Sequence, residues 1–338
     1  MAPHYLTIRP HILAAVCLTV SACGTGDDAP TGEAPDVAEA GAQASADFVL
    51  PRDADILLVD ITWDAAGTPS FGVPTNLTQR PDYDNQPHFV PDGSGLWYTA
   101  NDPQSGQSDI WRYDFATSRV TRVTQSAPES EYSATPLLDG SGISTIRVEA
   151  DSTQRLWRFD HDGSRASVLL DDVAPVGYHA WVDDYTVVMF VLGSPATLQR
   201  GDLRTGRAEI LARDIGRSIQ RIPNSADVSF AQRHDDGTST IMRLPGDGGE
   251  PEPIIGGLDG SQDHAWAPNR TLLQASGGVL YAARPTAGRT IPSPDVSWEP
   301  VADFTRYGIT LSRLAVSPDG SQIAIVAEVA AIDPFAGN

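Results

Sequence analysis

A hairpin unit that returns at a near-constant interval limits this chain to few folds. From Asn85 to Asp102 the sequence reads NQPHFVPDGSGLWYTAND, two alternating apolar runs joined by Pro-Asp-Gly. Such alternation marks a half-buried strand, and Pro-Asp-Gly supplies the preset φ and the positive φ of a tight turn. Altered copies of the turn are anchored at Asp92, Asp139, Asp183, Asn224, Asn269 and Asp319, with spacings of 47, 44, 41, 45 and 50 residues. A third apolar run follows the hairpin: IWRYD from Ile110, LWRFD from Leu156, LQRGD from Leu198, IMRLP from Ile241. A fourth run follows the third, as in VTRVT after the first copy. Four short strands repeated at this period predict a propeller blade.

The sixth unit is two strands short. LAVSPDGSQIAIVAEV (Leu314–Val329) supplies one hairpin, and only nine residues follow. The missing half has a match near the other end. ADILLVDIT (Ala54–Thr62) fits the third-run pattern, with Asp60 in the place of Asp114, and VPTNLTQ (Val73–Gln79) fits the fourth. The expectation is an all-β, six-bladed propeller of four-stranded blades over residues 53–330. N-terminal strands complete its C-terminal blade, which pairs sheet edges that an open array would expose. Residues 331–338 read as a tail.

The repeat also resembles a known family. VSPDGSQIAIV and QPHFVPDGSGLWYTANDPQSGQSDIWRYD look like the PD40, or WD40-like, repeats of TolB-type propellers. NLTQRPDYDNQP fits as well, because that family commonly ends a blade in Leu-Thr just before a proline-containing strand. The resemblance spans about Ala54 to Val329 and implies the same propeller. Blades 2 to 5 depart from the full Pro-Asp-Gly, with LLDG, WVDD, IPNS and WAPN. TolB carries an α/β domain ahead of its propeller, whereas this sequence has a tether there.

The first 22 residues read as a signal segment. HILAAVCLTVSA (His11–Ala22) is apolar but too short to span a bilayer. It ends in Val20-Ser21-Ala22-Cys23, which resembles the bacterial lipobox and implies cleavage before Cys23 and lipidation of its thiol. Cleavage removes Cys17, so the mature chain has no internal disulfide. Gly24 stands where an aspartate would signal inner-membrane retention. The resemblance therefore implies an outer-membrane lipoprotein, periplasm-facing. Residues 23–52 comprise the lipidated cysteine and a tether rich in Ala, Gly, Asp, Glu and Pro, a composition that buries too little apolar surface to fold.

Net charge is −21, and all 23 basic residues are arginines. So acidic a chain repels nucleic acid and anionic lipid, which excludes DNA and RNA as partners. The charge also favours a soluble monomer.

In a propeller the first strand of each blade lines the central channel, and the loops leading into those strands converge on one mouth. Groups held on loops by a rigid scaffold are the usual carriers of function. The candidate ligand- or partner-binding residues are therefore Asn85, Gln86, Glu131, Tyr132, Tyr178, His179, Arg217, Ser218, Asp263, His264 and Arg313. They would give a polar mouth of mixed charge with tyrosine walls, suited to a protein, a peptide or an envelope polymer. No G-x-S-x-G elbow, phosphate loop, C-x-x-C or zincin motif occurs, so no catalytic residue is assigned. No cofactor is implied. The alternative is a metal-dependent hydrolase or lyase at the same mouth. Asn85, Glu131, Asp263, His179 and His264 have ligand-type side chains, but no two fall at a diagnostic spacing. DHDG (Asp160–Gly163) and HDDG (His234–Gly237) read as turns, and the tryptophans (Trp97, Trp111, Trp157, Trp181, Trp266) as inter-blade core.

Overall fold

The computed structural model describes residues 48–285 and 296–330. The signal segment, Cys23, most of the tether and the tail lie outside the described residues.

Three strands open the described chain: β1 (Asp55–Trp63), β2 (Pro69–Phe71) and β3 (Thr75–Asn76). Blade 1 is β4 (Asp84–Phe89), β5 (Gly95–Asn101), β6 (Ser108–Asp114) and β7 (Arg119–Arg122). Blade 2 is β8 (Ser130–Pro136), β9 (Ile143–Val148), β10 (Gln154–Phe159) and β11 (Ser167–Leu169). Blade 3 is β12 (Val176–Trp181), β13 (Thr186–Val191), β14 (Thr197–Asp202) and β15 (Arg207–Arg213). Blade 4 is β16 (Ile215–Arg221), β17 (Val228–Arg233), β18 (Ser239–Leu244) and β19 (Glu252–Gly256). Blade 5 is β20 (His264–Trp266), β21 (Leu272–Ser276), β22 (Val279–Ala283) and β23 (Glu299–Asp303). Blade 6 begins with β24 (Ile309–Val316) and β25 (Gln322–Val329), and the N-terminal strands finish it.

Closure follows the expected register. β1 runs antiparallel to β25, from Asp55 opposite Ala327 to Asp60 opposite Gln322, and β3 pairs with β1 on its outer side. Both strands of this joint are apolar on two faces, because each packs on a neighbouring blade. Leu57, Val59, Ile61, Ile323, Ile325 and Ala327 pack toward blade 5, whereas Ile56, Ala324 and Val326 pack against Phe89, Leu96 and Tyr98 of blade 1. That two-sided burial explains why DILLVDI reads as a nearly unbroken apolar run. The whole core divides in this way, with one buried apolar cluster at each of the six blade junctions.

The turn anchors act as expected. Asp92, Asp139, Asp183, Asn269 and Asp319 each accept, on Oδ1, the backbone N–H two residues on, at 2.8–3.0 Å. Blade 4 departs from this. There Ser225 Oγ takes the N–H of Asp227, and Asn224 adopts a left-handed φ of 57°. The functional anchor is therefore one residue later than the sequence pattern indicates. Asp160–Gly163 and His234–Gly237 form tight turns, each closed by a bond from its glycine N–H to the first residue's carbonyl. Trp97 and Trp181 are buried at blade junctions, as expected.

Five of the six inner strands carry a register irregularity near their start: Asn85–His88, Tyr132–Thr135, Val176–Tyr178, Ile215–Ile219 and Leu311–Leu314. Gln86 and Ser133 sit there with φ of 54° and 56°. A bulge adds a residue on one strand and re-aims its side chains. The irregularities thus decide which residues face the channel and which face the neighbouring blade.

Candidate binding site at the channel mouth

The inner strands enclose a cavity of about 320 Å³, and all six blades contribute to its wall. Gln86, Tyr178, Arg217, Ser218, His179, Asp263, His264 and Arg313 line it, whereas Asn85, Glu131 and Tyr132 do not. The expected convergence therefore holds for eight of the eleven candidates.

The three that miss the cavity have commitments elsewhere. Asn85 is buried, and its Oδ1 accepts the Gln86 N–H at 2.8 Å, which holds the bulge. Glu131 is wholly buried and accepts from Arg147 Nε at 2.7 Å and from the Ser126 hydroxyl. Arg147 in turn lies over the Trp157 ring, 4.4 Å from its centroid. A buried carboxylate needs such a partner; both bonds fall on Oε1, and Oε2 is buried without a hydrogen-bond partner. Tyr132 packs on the apolar cluster between blades 2 and 3.

His179 and His264 line the cavity but are themselves buried. His179 Nε2 lies 2.7 Å from Ser144 Oγ on the preceding blade, and the Trp181 indole N–H donates to the same oxygen at 2.9 Å. His264 repeats this arrangement on Ser229, at 2.8 Å, with the Trp266 indole also at 2.8 Å. Both sites come from a His-Ala-Trp triplet that follows its serine by 35 residues. Burial holds both imidazoles neutral, pushing His179 down to about 3 and His264 to about 4. Nearby His88 adds to the effect on His179, and the Asp263 carboxylate opposes it on His264. A serine beside a histidine suggests nucleophilic catalysis, but the serine here is fully buried and spends its lone pairs on the indole and imidazole. These are inter-blade clasps.

The remaining residues form one charged cluster. Arg217 grips Asp263 through Nε, at 3.2 Å to both carboxylate oxygens, and through Nη2 at 2.5 Å. Arg313 approaches the same carboxylate at 3.8 Å and donates from Nη2 to the Tyr178 hydroxyl at 2.7 Å. Its guanidinium also lies 5.0 Å from the Tyr178 ring centroid. Burial works to raise the Asp263 pKa, but the two guanidiniums more than offset it and hold the carboxyl below its usual range. Burial likewise works against the Arg313 charge, yet Asp263 and the tyrosines raise its pKa overall. Gln86 Oε1 accepts from Thr99 Oγ1 at 2.8 Å and from Ser133 N–H at 2.9 Å, tying blade 1 to blade 2. Ser218 Oγ accepts the His264 N–H at 3.2 Å and does the same between blades 4 and 5.

Tyr83 does not line the cavity but lies within electrostatic reach of Arg313 and Arg217, and the sequence reading missed it. Burial pushes its hydroxyl up to about 12, while the positive charge of Arg313 acts the other way. The signal was present, since Tyr83 directly precedes the Asp84-Asn85-Gln86 segment. Among the described residues, no group of three or more His, Cys, Asp or Glu is placed to hold a metal ion.

With this geometry in place, comparison with solved structures is decisive for the fold. A TolB from Agrobacterium tumefaciens superposes with a TM-score of 0.60 at 15% identity, over 82% of this chain and 98% of that one. TolB from Acinetobacter baumannii gives 0.51 at 12% identity, over 82% of this chain. The fold is that of a TolB-like propeller. The chain spans 65% of the length of the Acinetobacter protein. A chain of a nidogen/laminin complex matches the TolB-like propeller with a TM-score of 0.54 at 12% identity, over 72% of this chain and 92% of that one. No protein-family model and no curated protein matches the sequence.

Proposed function

We propose that this TolB-like propeller is a non-enzymatic binding protein of the bacterial cell envelope. It takes a protein, peptide or envelope polymer on the face that bears the loops leading into the inner strands. The observation that carries this reading is the Arg217–Asp263–Arg313–Tyr178 cluster, drawn from four blades into one partly solvent-reachable cavity. Charged groups gathered at a concave site on a rigid scaffold are what a binding surface requires. The two histidines have Nε2 engaged on buried serines and are held by burial well below the range of a general base at neutral pH, which weighs for binding over hydrolysis. The lipobox-like sequence around Cys23 supports a lipid anchor at the outer membrane, with the propeller on the periplasmic side.

Affinity capture from solubilised membranes tests the reading. The wild-type chain should recover a partner that Arg217→Glu and Tyr178→Ala both lose, while circular dichroism stays unchanged. Equal recovery by all three chains would remove this face from the function.

A further inference from the structure

The charge at the mouth differs in sign from the charge of the chain. The net charge of the chain is −21, yet the cavity wall carries Arg217, Arg221 and Arg313 against Asp263 alone. Arg221 sits at the far end of its inner strand, with Nε donating to the Ser225 carbonyl at 3.1 Å. At the mouth itself two guanidiniums share one carboxylate. Arg217 commits Nε and Nη2 to Asp263, which leaves Nη1 unspent. Arg313 has one hydrogen bond, to Tyr178, and only a 3.8 Å approach to Asp263. Its side chain is 14% exposed, so most of its N–H groups are shielded from bulk water while still facing the cavity. A guanidinium has five donors, and a buried one seeks acceptors for them.

We infer that the mouth is a receptor for a single carboxylate, with Arg313 and Arg217 as its clamps and Asp263 as an internal competitor that tunes affinity. This rests on the reading of the mouth as a binding site and names the group that enters it. The chemistry selects among anions. The cluster of two guanidiniums and one carboxylate carries one surplus positive charge, which a monoanion neutralises. A phosphate dianion would face Asp263 with an unbalanced negative charge. The planar fork of an arginine also matches the two oxygens of a carboxylate. The Tyr178 ring beside Arg313 offers apolar surface to whatever carries the carboxylate.

The test uses the full chain and two sources of the same group. Benzoate and benzamide form one pair. N-acetyl-trialanine as free acid and as amide forms the other, and inorganic phosphate is the third arm. Binding is followed by ligand-observed NMR at constant ionic strength. Each acid should bind at least about tenfold more tightly than its amide and than phosphate, the discrimination a lost charge-assisted bond produces. The tighter of the two acids identifies the source, a small carboxylate or a peptide terminus. Arg313→Gln and Arg217→Gln should each weaken the acids about tenfold, whereas Arg204→Gln, an equal charge change on the outer surface, should not. Asp263→Asn should tighten them, because it removes the competitor. A merely structural cluster would not gain affinity in this way. Amides binding as well as acids, or weaker binding by folded Asp263→Asn, overturns the inference. If amides and acids bind alike while Arg217→Glu still loses the captured partner, only the carboxylate assignment falls. If acids bind selectively but capture ignores Arg217→Glu, the partner-binding reading falls instead.

Discussion

The two histidine clasps and the arginine mouth both place polar side chains in the channel wall, and they differ in one respect. The clasps repeat. Ser144–His179–Trp181 and Ser229–His264–Trp266 have the same spacing, the same partners and nearly the same distances two blades apart. The mouth does not repeat. The four members of its cluster are Tyr178, Arg217, Asp263 and Arg313, four residues at roughly corresponding places in blades 3, 4, 5 and 6. In a repeat protein each unit meets the same folding problem at its junction, so a recurring polar group is an answer to that problem. A group that breaks the repeat, and that leaves hydrogen-bonding capacity unspent, answers to something outside the fold. The neutral clasps and the charged mouth should therefore respond oppositely to perturbation.

The largest expected difference is with pH. The folded-state pKa values of His179 and His264, about 3 and about 4, lie below the ordinary 6.5. The unfolded chain thus takes up protons first, and the stability they hold is intact above pH 6.5 and lost as pH falls toward 4. Together they withdraw on the order of 6 kcal/mol by pH 4. Asp84 has the opposite sign. Burial is the main cause that pushes it up to about 6, with Asp55 adding to that and Arg80, whose Nε–H is shared between both carboxylate oxygens, opposing it. It adds about 2 kcal/mol as pH falls from 6 to 4. Urea midpoints measured from pH 7 to 4 should fall in the wild-type chain and fall more steeply in Asp84→Asn. They should flatten in the double variant His179→Gln/His264→Gln, whose amides reach the Nε2 positions. A profile that ignores both histidines would show that the clasps are not neutral in solution.

Next in size is the loss of a shared hydroxyl. Ser144→Ala strands the Trp181 indole N–H and a ring nitrogen of His179 in a buried place, and should cost about 2–4 kcal/mol at pH 7. Ser229→Ala should cost the same within about 1 kcal/mol, since the second clasp is built alike. Denaturant midpoints at constant m-value read both. A wide gap between the two serines would deny that the sites are equivalent.

This contrast also separates what was legible in the sequence from what was not. The blades were legible because turn chemistry is local. Asp92 or Asp319 finds its backbone partner two residues away, and the apolar runs of β1 and β25 record burial on both faces. The closure of the ring could be read for the same reason. The aim of each inner-strand side chain could not. Neighbouring residues on a strand face opposite ways, and a bulge of one residue exchanges the faces. His179 and His264 line the cavity as expected, but the sequence did not show that their Nε2 atoms also fasten junctions to Ser144 and Ser229. Glu131 was illegible for a second reason, since its partner Arg147 lies on another strand of the blade. Asp263 and Arg313 were nameable, but Arg217 meets Asp263 across neighbouring blades 46 positions apart, and Arg313 meets Tyr178 across the closed ring, 135 positions apart.

The smallest expected effect is the sharpest probe of the mouth. Tyr178→Phe removes only the hydroxyl that accepts from Arg313 at 2.7 Å and keeps the ring beneath the guanidinium. If the mouth is spare capacity rather than structure, the folded chain should lose no more than about 1 kcal/mol. The freed Arg313 donors face the cavity and its water, so they are not stranded as the Trp181 indole would be. Melting temperature should shift by about 3 °C at most. A loss as large as that of Ser144→Ala would place Tyr178 with the clasps, and the distinction between repeated fasteners and an unrepeated site would have to be redrawn around it.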